Sequence, residues 1–118
     1  MNFQEGSKLK VIGTSCFSKT GVQKITIPRN VTSIGAEAFC DCTDLKIVEF
    51  QDGNLLEKIG SRCFSNCEIE EFRAPSGLRS IGNDAFSNCK NLRQVVLNEG
   101  LERLAAEEGY YDENDIYI

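Results

Sequence analysis

The sequence predicts an α/β solenoid: four short coils of chain stacked so that one strand from each joins a single parallel β-sheet, with short helical turns opposite. Two observations carry this reading. Displaced by 47 residues, the chain overlays on itself without a gap, and residues 3–49 match residues 50–96 at 18 of 47 positions. Each 47-residue unit is itself a pair, because Ile12, Ile34, Ile59, Ile81 and Leu104 follow one another at 22, 25, 22 and 23 residues. A unit of that size cannot bury its own apolar face, so neighbours must stack to make a shared core.

Along the chain, the coils read LKVIGTSCFSKTGVQKITIP (9–28), VTSIGAEAFCDCTDLKIVEFQ (31–51), LEKIGSRCFSNCEIEEFRAP (56–75) and LRSIGNDAFSNCKNLRQVVLN (78–98). Each opens with an apolar pair closed by glycine (V/L-x-x-I-G), read as a sharp reversal. The A/C-F-x-x-C stretch that follows is too short for a full helix, which predicts one or two helical turns. Ile25-Thr26-Ile27, Val48-Glu49-Phe50, Phe72-Arg73-Ala74 and Val95-Val96-Leu97 carry the alternation of a half-buried strand, and Pro28 and Pro75 end two of them. Phe17, Phe39, Phe64 and Phe86 are the one large residue in each turn, and the period predicts that they stack. The 25-residue step falls at the Gly53-Asn54 linker.

The repeated IGxxAFxxCxxLxxV, with proline after the strand, resembles the BspA-like class of leucine-rich repeat over roughly residues 3–104. The resemblance implies a curved, right-handed solenoid used for protein–protein binding, often on the surfaces of bacteria and protozoan parasites, and it names no ligand. Two departures stand out. Thr20 occupies the position of Cys42, Cys67 and Cys89, and Ala105-Ala106-Glu107-Glu108 follows Leu104 where the pattern wants G-x-x-A-F. The expected organisation is therefore a four-coil solenoid over residues 1–100 and a degenerate fifth coil with an acidic cap over 101–118, in which Ile116-Tyr117-Ile118 stands about where a fifth strand is due.

Charge and composition narrow the function. The net charge of −5 is uneven: residues 1–98 carry 12 basic and 11 acidic side chains, residues 99–118 carry 1 and 7. A nucleic-acid partner would need a basic stripe, so none is expected. The absence of histidine removes the usual Ser- or Cys-based triads and histidine metal sites, so the chain is read as no enzyme and as needing no cofactor or metal. No apolar run reaches 18 residues, which excludes a transmembrane helix. The start MNFQEGSK lacks a secretory core and already matches the repeat at 50–58. The expected location is the cell surface or outside the cell for a piece of a longer exported protein, and the cytoplasm otherwise.

Six cysteines could suggest disulfides or zinc, but five recur at two coil positions. Cys42, Cys67 and Cys89 hold one; Cys16 and Cys63 share the other with Ala38 and Ala85. Small buried hydrophobes behave so, and reduced, buried thiols are the expectation. Cys40 sits where Ser18, Ser65 and Ser87 stand and is read as the thiol most exposed and reactive. Asp112-Glu113-Asn114-Asp115 lacks the glycine and bidentate glutamate of a calcium loop, and Asn30-Val31-Thr32 is a glycosylation sequon that matters only in a secretory pathway.

The informative positions are those the repeat leaves free. With Leu45, Val48 and Phe50 inward, Lys46, Ile47 and Glu49 face outward. Columns Gln23/Lys46/Glu70/Arg93, Lys24/Ile47/Glu71/Gln94 and Thr26/Glu49/Arg73/Val96 then form one surface, on which Lys46–Glu70, Glu70–Arg93 and Glu49–Arg73 are within reach. Such a face is usually a self-neutralised solvent face, but Ile47 and Val96 are apolar and point out. Ile47, Glu49, Glu71, Arg73, Gln94 and Val96 are accordingly the candidate protein-binding residues, and the reading is a non-catalytic interaction module, possible adhesion included. An intracellular regulator or inhibitor using the same face is the alternative, and the acidic cap with Tyr110 and Tyr111 is the rival site.

Overall fold

The computed structural model describes residues 7–96 and the backbone of 103–104. It is a β-solenoid of about four turns, and all its strand pairing is parallel. The strands are β1 Val11–Ile12, β2 Lys24–Ile27, β3 Ser33–Ile34, β4 Ile47–Phe50, β5 Lys58–Ile59, β6 Glu71–Arg73, β7 Ser80–Ile81, β8 Gln94–Val96 and β9 Arg103–Leu104.

The single predicted sheet is replaced by three. The V/L-x-x-I-G segments, read as turns, are two-residue strands that build the longest sheet, β1-β3-β5-β7-β9, with Ile12, Ile34, Ile59, Ile81 and Leu104 in register. The strands that were expected occur, but pair only two by two, β2 with β4 and β6 with β8. The break falls at the boundary of the 47-residue units. At the end of β4 the chain is tied back to the first coil: Gln51 N–H donates to Ile27 O at 3.1 Å, Leu55 N–H to Arg29 O at 2.9 Å, and Arg29 N–H to the Gln51 side chain at 2.8 Å. Beyond β6, Ala74 N–H donates to Val96 O at 2.8 Å, and Pro75 has no N–H to offer. Each strand pair is thus bonded within its own double repeat. The first strand of the degenerate fifth coil is present as β9, whereas the expected cap and the Ile116–Ile118 strand lie outside the described residues.

The predicted helical turns are also corrected, since the described residues contain no helix. Two residues per coil adopt positive φ, Ser15 and Lys19, Glu37 and Asp41, Arg62 and Asn66, Asp84 and Asn88, all between 54° and 61°. A left-handed residue at every fourth position stops a right-handed helix from propagating. The backbone instead alternates its bonds. Glu37, Phe39 and Asp41 donate to Ser61, Cys63 and Ser65 of the next coil at 2.8–2.9 Å, while Ala38, Cys40 and Cys42 close turns onto Gly35, Glu37 and Phe39. The segment is a stack of turns bonded coil to coil.

The core follows the repeat. Phe17, Phe39, Phe64 and Phe86 stack as expected, with ring centroids 5.4, 5.5 and 5.7 Å apart and planes within 12°. Phe39, Phe64 and Phe86 are buried and Phe17 is half-buried. Val31, Leu56 and Leu78 fill one flank, and Ile25, Phe72 and Val95 fill the other. The glycine after each isoleucine has a different reason from the one expected. Its φ is not positive; at Gly35, Gly60 and Gly82 a Cβ would stand 2.4–2.7 Å from a backbone nitrogen of the preceding coil. These glycines let coils touch.

All six cysteines are free, and five are buried. Their column also has a bonding role, each thiol of the Cys42, Cys67 and Cys89 column reaching the phenylalanine carbonyl of the preceding coil. Cys42 Sγ donates to Phe17 O at 3.1 Å, Cys67 Sγ to Phe39 O at 3.3 Å and Cys89 Sγ to Phe64 O at 3.0 Å. Burial pushes the Cys63 and Cys67 thiols well up and Cys89 to about 11, so all stay protonated at neutral pH. Cys40 is corrected: it is buried, and desolvation with the neighbouring Asp41 carboxylate raises its pKa, against the expected reactivity. The exposed thiol is Cys16.

Candidate functional site

Four of the six candidate residues surround one cleft, and the break between β4 and β6 makes it. No backbone hydrogen bond joins the two strands among the described residues; the last across this side is Glu68 N–H to Leu45 O at 2.9 Å. Beyond that bond the strands part and leave about 350 Å³ lined by Lys46, Ile47, Val48, Glu49, Glu70, Glu71 and Arg73. The floor stays closed, because Phe50 and Phe72 meet edge to face at 6.0 Å beneath it. A second shallow depression, lined by Glu70, Glu71, Arg93 and Gln94, continues across β6 and β8.

The strand periodicity places Ile47 outward as predicted, and it is 47% exposed. Glu49, Glu71, Arg73 and Gln94 are exposed beside it. Val96 is half-buried, less available than its predicted outward position suggests. Registers Lys24↔Ile47, Thr26↔Glu49, Glu71↔Gln94 and Arg73↔Val96 reproduce the expected columns within each pair of strands.

Of the expected ion pairs, Glu70–Arg93 forms at 2.9 Å. Glu49 pairs instead with Lys24 at 3.4 Å and Arg73 with Glu71 at 3.3 Å, each partner lying within the same half of the face. The cause is again the break, which separates Glu49 from Arg73 and Lys46 from Glu70. All three pairs are exposed, so each contributes little to stability and is easily exchanged for a partner's charge. Chemically the cleft offers the exposed apolar side chain of Ile47 among three acidic and two basic side chains. It suits a polypeptide with an apolar anchor and flanking charges.

The described residues contain no cluster of three His, Cys, Asp or Glu able to hold a metal. No helix among them is long and apolar enough to cross a membrane. The sequon asparagine is half-buried and engaged, its side-chain amide donating to Ser7 O at 3.1 Å. The acidic run 112–115 and the rival site around Tyr110 and Tyr111 lie outside the described residues. Sequence reasoning missed the cleft. Its one signal was the 25-residue step before Leu56, where the strand face loses its even spacing.

Comparison with known proteins agrees with the repeat and the solenoid fold. Residues 10–108 match the family described as BspA type Leucine rich repeat region, in six copies. The chain belongs to that family. Among solved structures it is similar to the pneumococcal vaccine antigen PcpA, with 28% identity and a TM-score of 0.69 over 79% of this chain and 25% of that one. A leucine rich cell surface protein from Faecalibacterium prausnitzii is 27% identical, with a TM-score of 0.56 over 81% of this chain and 33% of that one. A leucine-rich repeat protein from Bacteroides ovatus, at 20% identity and a TM-score of 0.52 over 83% and 37% of the two chains, shares the fold. The chain thus spans a quarter to about a third of these structures. No curated protein matches the sequence. Repeats of this family generally bind proteins and are generally non-enzymatic.

Proposed function

We propose that this chain is a non-catalytic interaction module that receives a protein ligand on its strand face, centred on the cleft between β4 and β6. The observation that carries the reading is Ile47, a large apolar side chain half out of the surface beside a 350 Å³ opening, flanked by Glu49, Glu71 and Arg73. An anchor of that kind, ringed by exchangeable ion pairs, is the composition of a binding hot spot. Gln94 extends the surface along β8, and Val96 contributes its exposed part. The four-coil solenoid over 1–100 is the platform, and 101–118 is the proposed cap. Surface adhesion is the preferred setting, supported by the printed description of the Faecalibacterium neighbour as a cell surface protein.

The test is a binding screen of the chain against a panel of secreted and extracellular-matrix proteins by biolayer interferometry. For any ligand found, the folded Ile47→Asp/Arg73→Glu variant is expected to lose at least about tenfold in affinity. Leu55→Asp, at an exposed apolar side chain outside the cleft lining, is expected to bind as wild type. If the double variant binds unchanged while deletion of 112–118 abolishes binding, the strand face is the wrong site.

A further inference from the structure

The parted strands β4 and β6 leave more than a hollow. Paired parallel strands sit about 4.8 Å apart, and a strand seated between two others needs about twice that spacing. The Cα atoms of β4 and β6 lie more than 8 Å apart along most of their length. Both walls of the gap are backbone edges. Gln23 O accepts from Ile47 N–H at 3.4 Å and Ile27 O from Gln51 N–H at 3.1 Å, so by the alternation of a parallel ladder Ile47, Glu49 and Gln51 turn their peptide groups to β2, while Val48 and Phe50 turn theirs to the gap. On the facing wall, Glu70 O accepts from Arg93 N–H and Ala74 N–H donates to Val96 O, each at 2.8 Å. That commits Glu70, Phe72 and Ala74 to β8 and aims the peptide groups of Glu71 and Arg73 at the gap. No backbone hydrogen bond among the described residues takes up the groups of these four. The core shows through as well. Ile25, Phe72 and Val95 are buried in the other three coils, but Val48, in the same column, is half-buried and lines the cleft.

We infer that the gap between β4 and β6 receives one extended strand of the protein ligand, which bonds through its own backbone to both edges and completes the strand face as a continuous sheet. The inference rests on the strand-face reading and adds the form of what binds there. An open edge at the rim of a sheet invites unlimited pairing, but two edges facing each other across the width of one strand are filled by a single strand. Main-chain bonds then supply affinity, and alternate side chains supply selection. Side chains of the ligand that point inward meet Val48 above the Phe50–Phe72 pair, where β-branched and other apolar groups fit. Those that point outward stand beside Ile47 and Lys46. Lys46 is exposed and has no ion-pair partner among the described residues, so it favours an acidic residue on the incoming strand.

The experiment screens the full chain against a displayed library of peptides of about eight residues, with alternate positions restricted to valine, isoleucine and threonine and the others left free. Selected peptides are then followed by amide hydrogen exchange in NMR. In the free chain the amides of Val48, Phe50, Glu71 and Arg73 are expected to exchange faster than those of Glu49 and Phe72, which already serve β2 and β8. A bound peptide is expected to slow the first four at least about tenfold, and N-methylation of either set of alternate peptide amides to weaken binding at least about tenfold, because both edges are used. Lys46→Glu is expected to weaken the acidic peptides about threefold. Peptides that bind at Ile47 with neither edge protection nor sensitivity to N-methylation would overturn the inserted strand and leave the strand-face site standing. Edge amides already protected in the free chain would overturn it too, since the chain itself would then fill the slot. A library that yields no peptide at this face does the same, and the strand-face site then stands or falls on the Ile47→Asp/Arg73→Glu comparison with a protein ligand.

Discussion

Gly60→Ala tests the stacking geometry that the whole solenoid depends on. The added methyl would stand 2.5 Å from Ala36 N, 2.6 Å from Gly35 C and 2.8 Å from Ala36 Cα. Ordinary contact begins at 3.4 Å, so the shortest of these must lengthen by 3.4 − 2.5 = 0.9 Å. All three obstacles are backbone, and none can rotate aside. Moving the coils apart by that amount stretches the bond from Gly60 N–H to Ile34 O at 2.8 Å and those from Glu37 and Phe39 to Ser61 and Cys63, each 2.9 Å. It also opens the Phe39–Phe64 stack at 5.5 Å. Overpacking costs roughly 1–3 kcal/mol and each weakened hydrogen bond up to about 1 kcal/mol, so a loss of about 3–5 kcal/mol is expected. For a chain of this size that lowers Tm by roughly 12–20 °C. Gly13→Ala is the internal control: it has the same sequence context with nothing within 4 Å among the described residues, and restricting the unfolded chain is expected to leave stability equal or raise it by up to about 1 kcal/mol. Urea denaturation followed by circular dichroism measures both. A difference between the two variants below about 1 kcal/mol would refute coil contact as the reason for the glycine column.

Phe39→Ala and Phe64→Ala, each removing a fully buried ring from the middle of the stack, are expected to cost about 3–5 kcal/mol by the same denaturation assay, and losses under about 1 kcal/mol for both would show that the stack is not core. Arg62→Asn places a residue tolerant of the left-handed region at φ 54° and is expected to raise Tm slightly, by up to about 1 kcal/mol of stability. Burial raises the folded-state pKa of Cys63, Cys67 and Cys89, the last from 9.0 to about 11, so the stability they contribute is fully present below about pH 9 and is lost as pH rises through the folded values. Unfolding free energies measured from pH 8 to 10.5 are expected to fall, and to fall less steeply in Cys89→Ala; an equal slope in wild type and variant contradicts the assignment.

What the sequence made legible was whatever repeats. The columns of Ile12, Ile34, Ile59 and Ile81, of the four phenylalanines and of the thiols were predicted in register and stand in register, because a period is visible without knowing any bond. Conformation inside the period was less legible. A two-residue strand such as Lys58–Ile59 is too short to show alternation, so the longest sheet was read as a row of turns. The A/C-F-x-x-C stretch looked helical because its apolar spacing fits one turn, yet Asp41, Asn66, Asp84 and Asn88 occupy four of the eight positive-φ positions. Asp and Asn are the side chains that accept that region most readily, so their recurrence was the available signal.

The candidate site was half legible for the same reason. Alternation along the strand fixed Ile47, Glu49, Glu71 and Arg73 as outward-facing, and they are exposed. Their arrangement round a cleft depends instead on where the period fails. Gly53, at φ 72°, turns the longer linker under Arg29, whose Nε donates to Asp52 O at 2.8 Å, and this clasp holds the end of β4 to the first coil. Ala74 meanwhile ties β6 to the fourth coil. The two strand pairs are each complete and the junction between them is left unbonded, directly beside Ile47. In a repeat protein the regular positions set the scaffold, and an interruption is where one surface can differ from the others. Tightening the linker by deleting Asp52 and Gly53 is therefore expected to close the strand face, and with it the cleft, while leaving the glycine-packed sheet on the other side intact.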